Sequence, residues 1–271
     1  MSGLSGTAST KVQPIDSVTV KSHALALGSD LCGIASVEAF SGAPPGHHPR
    51  DVMSDGRSVV VLALSSLEGP LSSDSMIAYT MMRNRRLQSL DSIPMLLSLI
   101  LEEHGYLAVP IPSAEPYDFD RRERKICGVI SLKHAASLAG LGRIGRSTLL
   151  INHNFGNMLW LGALITTAAL APDPLVTHEV CPASCSVCMD SCPAHALDGA
   201  SINRRRCGRR AFSSNKYTGR RITCCACRSM CPNSRRIQKS TSIAAECNVP
   251  ADDPEPESPD PMDPPPRHPA W

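Results

Sequence analysis

Aromatic residues are scarce in this chain of 271 residues, with two Trp, four Tyr and four Phe making up 4%. Reading single-stranded RNA takes aromatic faces on which splayed bases stack, so a dedicated reader of that kind is disfavoured. Long apolar runs are missing as well. The longest mostly apolar stretch, Met158 to Ala171, is interrupted by Gly162, Thr166 and Thr167. It falls short of the roughly 20 residues a spanning helix needs, so no membrane span is expected. No run of seven apolar residues follows a basic start between Met1 and Asp16, so a secretory signal is not expected. A cytoplasmic location follows as the expectation, and structural disulfides are disfavoured. Acidic residues are absent from Ser201 to Ser240, where twelve Lys or Arg lie, whereas Glu246 to Trp271 holds seven acids against the single Arg267. The formal net charge of +2 hides this asymmetry, and two such stretches play different roles.

The proline-rich acidic segment 249–271 has almost nothing to bury, so chain entropy wins and a disordered tail is expected, as it is for residues 1–12. Between these ends the pattern alternates. Asp16 is placed to cap a helix running to about Leu27, with Gly28 as its stop, and Leu31 to Ser36 then reads as a strand. Ser58 to Leu64 is a continuous β-branched apolar run, which suits a central strand covered on both faces. A helical pattern spans about Ser73 to Glu103. Pro94 is expected to break it, with Asp91 or Ser92 capping a second helix. Leu107 to Pro112 and Met158 to Thr167 read as further strands and Lys133 to Ala139 as a short helix. The fold class expected for residues 13–175 is therefore an α/β sandwich.

Beyond Pro174 lie ten of the twelve cysteines, and hydrophobic periodicity fades. A segment so poor in apolar residues needs another source of folding energy. Cys181, Cys185, Cys188 and Cys192-Pro193 are followed by Cys207 and then by Cys224, Cys227 and Cys231-Pro232. Two C-x2-C-x3-C-P endings point to a pair of [4Fe-4S] clusters, because the cysteine before the proline reaches the other cluster in two-cluster ferredoxins. Crossed ligation assigns Cys181, Cys185, Cys188 and Cys231 to one cluster and Cys192, Cys207, Cys224 and Cys227 to the other, in a module spanning 176–240. Cys225 sits beside Cys224, so either is a possible ligand there. Cys32, Cys127 and Cys247 are spare, and Cys32, inside a predicted strand, reads as a packing residue. Structural zinc is the competing reading, since four thiolates also make a closed tetrahedral site. The arginines nearby, among them Arg204, Arg205, Arg206, Arg220, Arg221 and Arg228, are suited to offset cluster charge. Docking of an acidic electron donor or of RNA is their other use.

Gly140, Gly142 and Gly145 spell G-x-G-x-x-G. A dinucleotide site is disfavoured, because the motif follows a helical segment rather than a strand and no acid appears about 20 residues later. The glycines still permit close approach to a bulky cofactor or a packed neighbour. Together with HHPRDV at 47–52, SVVVLAL at 58–64, LEEHGYLAVPIP at 101–112, ISLKHAASLAGLGRIGRSTLLI at 130–151, FGN at 155–157, LGALIT at 161–166 and the double cysteine motif, this loop resembles the epoxyqueuosine reductase superfamily. The corrinoid reductive dehalogenases are its more distant relatives. The resemblance covers about residues 15–238.

What the resemblance implies is a nitroreductase-like α/β domain that binds cobalamin and leads into a two-cluster ferredoxin module, with electrons relayed from a ferredoxin- or flavodoxin-like donor. The cofactor would lie against Gly140, Gly142 and Gly145, with Ser147, Thr148 and Asn157 as polar contacts. Tyr79 and His134 are the candidates for proton supply. A flavin, or no further cofactor, is the alternative, as is an electron carrier that docks a corrinoid protein, and tRNA is a further candidate partner. Three departures stand out. Members of the family carry a helical-repeat region where this sequence has its acidic segment, Ile126 or Cys127 stands where they have a catalytic aspartate, and Arg143 stands where many have an aromatic residue.

Overall fold

A computed structural model describes residues 13–120, 125–215 and 219–234. The expected tails at 1–12 and 249–271, the spare Cys247 and the end of the 176–240 segment lie outside the described residues. The elements run α1 (Ser17–Ala26), β1 (Leu31–Ser36), α2 (Pro49–Val52), β2 (Ser58–Ser65), α3 (Glu68–Ser72), α4 (Met76–Glu103), β3 (Ala108–Ile111), β4 (Asp118–Asp120) and β5 (Lys125–Cys127). They continue with α5 (Leu132–Leu138), β6 (Arg143–Ile144), β7 (Leu150–Ile151), β8 (Leu159–Thr166), α6 (Val187–Asp190), α7 (Arg204–Ala211), β9 (Phe212–Asn215), β10 (Gly219–Ile222) and α8 (Ala226–Ser229). The architecture is mixed α/β. Among the described residues no helix is long and apolar enough to cross a membrane.

The first helix and strand follow the expected boundaries. Asp16 accepts from the Thr19 amide at 2.8 Å, satisfying one of the free N–H groups of α1, and Gly28, at φ 102°, takes the left-handed turn that ends it. The central sheet has the order β1-β2-β8-β3, and each pairing is antiparallel. Alternate side chains of β2 enter two cores. Val59, Val61 and Ala63 pack with Ala135, Ala136 and Ala139 of the α5 segment. Val60, Leu62 and Leu64 pack with Val20 and Ala24 of α1 and Leu90, Ile93, Leu97 and Leu101 of α4. A strand buried on both faces cannot use polar alternation, which is why its sequence is a continuous apolar run.

The expected break at Pro94 does not occur. Helix α4 is continuous through it, and Asp91, rather than capping a second helix, accepts from the Ser113 amide at 2.8 Å. Burial of Leu87, Leu90, Ile93, Leu97 and Leu101 on both sides of the proline holds the helix, because tertiary packing of an apolar stripe outweighs local propensity. Pro94 has no N–H for the Leu90 carbonyl four residues back. That carbonyl lies where strand β8 comes closest: a Cβ on Gly162 would stand 2.6 Å from the Leu90 oxygen. Gly162→Ala is therefore expected to cost about 1–3 kcal/mol through overpacking against backbone. A shift of the denaturation midpoint in urea reads it, and an unchanged midpoint would show that the helix yields at Pro94.

Candidate functional site

The cysteine-rich segment has little apolar packing, but its thiols fall into two groups. Cys181, Cys185, Cys188 and Cys231 line one cavity of about 270 Å³, together with Arg146, Ser147 and the two prolines Pro182 and Pro232. Burial pushes the Cys188 thiol up, and its neighbours Cys181 and Cys185 add to the shift. Burial also raises Cys231, with Cys181, Cys188 and Cys185 contributing. In the second group, burial raises Cys207 with help from Cys192 and Cys224. Cys227 is pushed up to about 12, chiefly by burial, with Arg228 opposing and Cys207, Cys224 and Cys192 reinforcing. Thiols that raise one another's pKa are close enough to share charge.

The pattern follows from how two short helices pack. Helix α6 carries Cys188 and α8 carries Cys227, and the two are in contact. The chain leaving α8 brings Cys231 to the first group, while the chain leaving α6 brings Cys192 to the second. Cys225 is at the N-cap of α8 and packs against an apolar cluster containing Tyr79, Met82, Met158 and Ile222. Among the described residues no three His, Cys, Asp or Glu side chains converge as a single metal ion would require. The spare Cys32 packs against the core between β2 and α4, and burial pushes its thiol up to about 12.

Arg228 joins this segment to the sheet. It is 6% exposed, and among the described residues its guanidinium donates to backbone carbonyls, not to a carboxylate. Nη1 bonds the Asn157 carbonyl, and Nη1 and Nη2 each reach the Leu159 carbonyl at 3.4 Å. The charge lies 4.5 Å from the Trp160 ring centroid, a favourable cation–π placement. In return the Asn157 side-chain amide donates to the Arg228 carbonyl at 3.1 Å. A second attachment is the β9–β10 hairpin, where the Ile222 amide donates to Thr80 Oγ1 of α4 at 2.9 Å and Arg220 pairs with Glu115, beyond β3, at 2.7 Å.

The glycine loop does not form an open cradle. A Cβ on Gly140 would lie 2.4 Å from the Pro174 carbonyl, on Gly142 2.2 Å from the Ile151 carbonyl, and on Gly145 2.4 Å from Ile151 Cδ1 and 3.1 Å from Cys181 Sγ. On the side a Cβ would occupy, the close approach that the sequence predicts is made to the chain's own backbone and to the side chains of Ile151 and Cys181. Asn157 donates through its side-chain amide to the Arg228 carbonyl and through its backbone amide to the Asn233 carbonyl at 3.3 Å, while its Oδ1 is buried without a partner among the described residues. Ser147 and Thr148 are buried in the same turn.

Of the two candidate proton donors, Tyr79 is buried on α4 beside Trp160. Burial pushes its phenol up to about 12; Arg228 lowers it, and the nearby Cys225 and Cys227 raise it. His134 is exposed, with Nδ1 2.7 Å from Ser131 Oγ. Partial desolvation of the ring and then Lys133 hold its imidazole below the usual range. Lys133 itself is depressed by burial and by Arg204, with Cys227 opposing. Sequence reasoning singled out neither Lys133 nor Arg146 and counted Arg228 only as one counter-charge among many. The available signal was its place inside the C-x3-C step, where a short helix turns it away from solvent.

Comparison with known proteins gives a class first. The chain resembles, in fold, the reductive dehalogenase whose structure suggests a mechanism for B12-dependent dehalogenation, with a TM-score of 0.62 at 18% identity over 80% of this chain and 31% of that one. It resembles epoxyqueuosine reductase from Streptococcus thermophilus with a TM-score of 0.56 at 16% identity over 80% of this chain and 66% of that one. In sequence it is 32% identical to the epoxyqueuosine reductase of Staphylococcus aureus over 142 residues, 48% of this chain and 36% of the relative. It is 41% identical to that of Pseudomonas aeruginosa over 76 residues, 28% of this chain and 21% of the relative. No family model matches. The chain is thus related to the epoxyqueuosine reductases, as the sequence motifs imply, and shares its fold with them and with reductive dehalogenases. It spans well under two thirds of the length of either curated relative.

Proposed function

We propose that this chain is an iron–sulfur oxidoreductase module that relays single electrons through two [4Fe-4S] centres. The carrying observation is that eight cysteines from a segment with almost no core form two mutually interacting groups in the crossed order 181/185/188/231 and 192/207/224/227. Four thiols around a cavity too roomy for one ion suit a polynuclear cluster, whereas tetrahedral zinc would draw four sulfurs to within ~3.8 Å of each other. Support for Cys224 as the eighth ligand is its electrostatic effect on Cys207 and Cys227. When bound, such a pair supplies one-electron transfer between a soluble donor and an acceptor.

The residues of this chain set direction and charge. The second group adjoins Tyr79 of α4 and Lys133 of α5, and the first adjoins Arg146 and Ser147, so both centres would lie against the nitroreductase-like domain, with a ferredoxin- or flavodoxin-like protein as donor. Arg228 places a buried positive charge beside Cys227, offsetting thiolate charge. Tyr79 keeps its proton at neutral pH, being pushed up to about 12, and holds a phenol hydrogen next to that group. Kinship favours a cobalamin-type corrinoid as acceptor, since one fold neighbour is described with B12. Asn157 Oδ1, buried and without a partner among the described residues, is a polar atom that would contact it. A second reading is an electron carrier or activator that docks a separate cofactor-bearing protein. One neighbour was solved with a tRNA stem loop; with only part of the relatives' length present, tRNA as substrate is the third reading, and its test is retention across a salt series.

The test is metal analysis of anaerobically prepared protein. Two four-iron cubes require about eight iron and eight acid-labile sulfide per chain. Zinc in their place would end the relay reading. Titrating the same preparation with cobalamin separates the first two readings, since an integral acceptor binds stoichiometrically and a carrier does not bind.

A further inference from the structure

Two polar groups facing the first cysteine group have no partner among the described residues: Ser147 Oγ and Arg146 Nε. Ser147 is 3% exposed, and both residues line the cavity shared by Cys181, Cys185, Cys188 and Cys231. An unpartnered buried donor costs about 1–3 kcal/mol, so two in adjacent residues call for an acceptor. Arg146 is fixed from its far end, Nη1 donating to the Ala183 carbonyl at 2.7 Å, which leaves Nε–H for the cavity side.

The backbone enforces this presentation. Thr148, a β-branched residue, has φ 59°, a conformation that costs about 1–3 kcal/mol and persists only where the surroundings over-determine it. Hydrogen bonds from the Thr148 amide to the Gly145 carbonyl at 2.8 Å and from the Gly145 amide to the Leu149 carbonyl at 2.9 Å tie the turn. Gly145 lets it come against Cys181 Sγ. The loop is built to bring residues 146 and 147 against the thiol-lined cavity.

We infer that Ser147 Oγ–H and Arg146 Nε–H donate hydrogen bonds to sulfur of the cluster held by Cys181, Cys185, Cys188 and Cys231, and so raise the reduction potential of that centre relative to the other. The inference rests on the iron–sulfur reading above. Donors to cluster sulfur favour the reduced state, which carries one more negative charge. They are positioning residues, acting on the centre through its sulfurs.

The test is redox titration of the anaerobic full chain followed by electron paramagnetic resonance, with iron and sulfide measured on each sample. Ser147→Ala is expected to keep full iron content and to shift the reduction equilibrium of the first centre about tenfold toward oxidised, 59 mV for one electron. The second centre should be unmoved. Arg146→Lys, which keeps the charge but drops Nε–H, should shift the same centre in the same direction, and Ser147→Thr, which keeps the hydroxyl, should restore it. An unshifted first centre, or equal shifts of both, overturns the inference. Unaltered protein without iron and sulfide would remove the underlying reading and this one with it; wild-type clusters with unmoved potentials would remove only this one.

Discussion

Cys227→Ser is expected to halve the iron content of anaerobically prepared protein and to expose the segment beyond residue 176 to proteolysis. From that residue onward the buried apolar side chains among the described residues are Cys188, Ala196 and Ile222, too few to offset the entropy of ordering the segment. Metal–thiolate bonding must supply the difference, and a ligand lost is folding energy lost. The thiol is strongly buried and raised to about 12, so it becomes a thiolate only when a cation is present to stabilise it. Serine is a poor replacement, with far weaker affinity for iron. Cys188→Ser should remove the other centre, leaving the spectroscopic signature of the second. Iron per chain and limited proteolysis read both variants, and a double mutant as protease-resistant as the unaltered chain would contradict the role given to the metal.

Elements whose sequence signal is local were legible. The Asp16 cap, the Gly28 stop and the strands at Leu31–Ser36 and Leu159–Thr166 all rest on short-range chemistry or on a run too apolar to be anything but buried. Pro94 misled because its effect on α4 is decided by partners far along the chain, among them Gly162 on β8. The glycine loop was legible only as a place of close approach. A glycine states that something comes close, not what, and here the neighbours are the Pro174 and Ile151 carbonyls and Cys181. Spacing and the proline endings brought the cysteines into view, whereas the placement of Cys225 against the apolar cluster around Tyr79 is something only the fold assembles.

Arg228→Met is expected to lower stability by about 3–5 kcal/mol. Methionine keeps the apolar stem but leaves the Asn157 and Leu159 carbonyls without the donors they now share. Each hydrogen bond from a charged donor is worth roughly 1.5–3 kcal/mol, and the charge over Trp160 adds on the order of 2 kcal/mol in a desolvated site. In a domain of this size that corresponds to a fall in thermal midpoint on the order of 10 °C. Arg228→Lys should lose part of this, because one ammonium cannot reproduce the fork that reaches both carbonyls while lying against the ring. Arg228→Met also removes the buried charge beside Cys227, so the potential of the second centre should fall while that of the first holds. A methionine variant that melts within 2 °C of the unaltered protein would show that α8 is held to β8 by the cluster alone, with the arginine as a passenger.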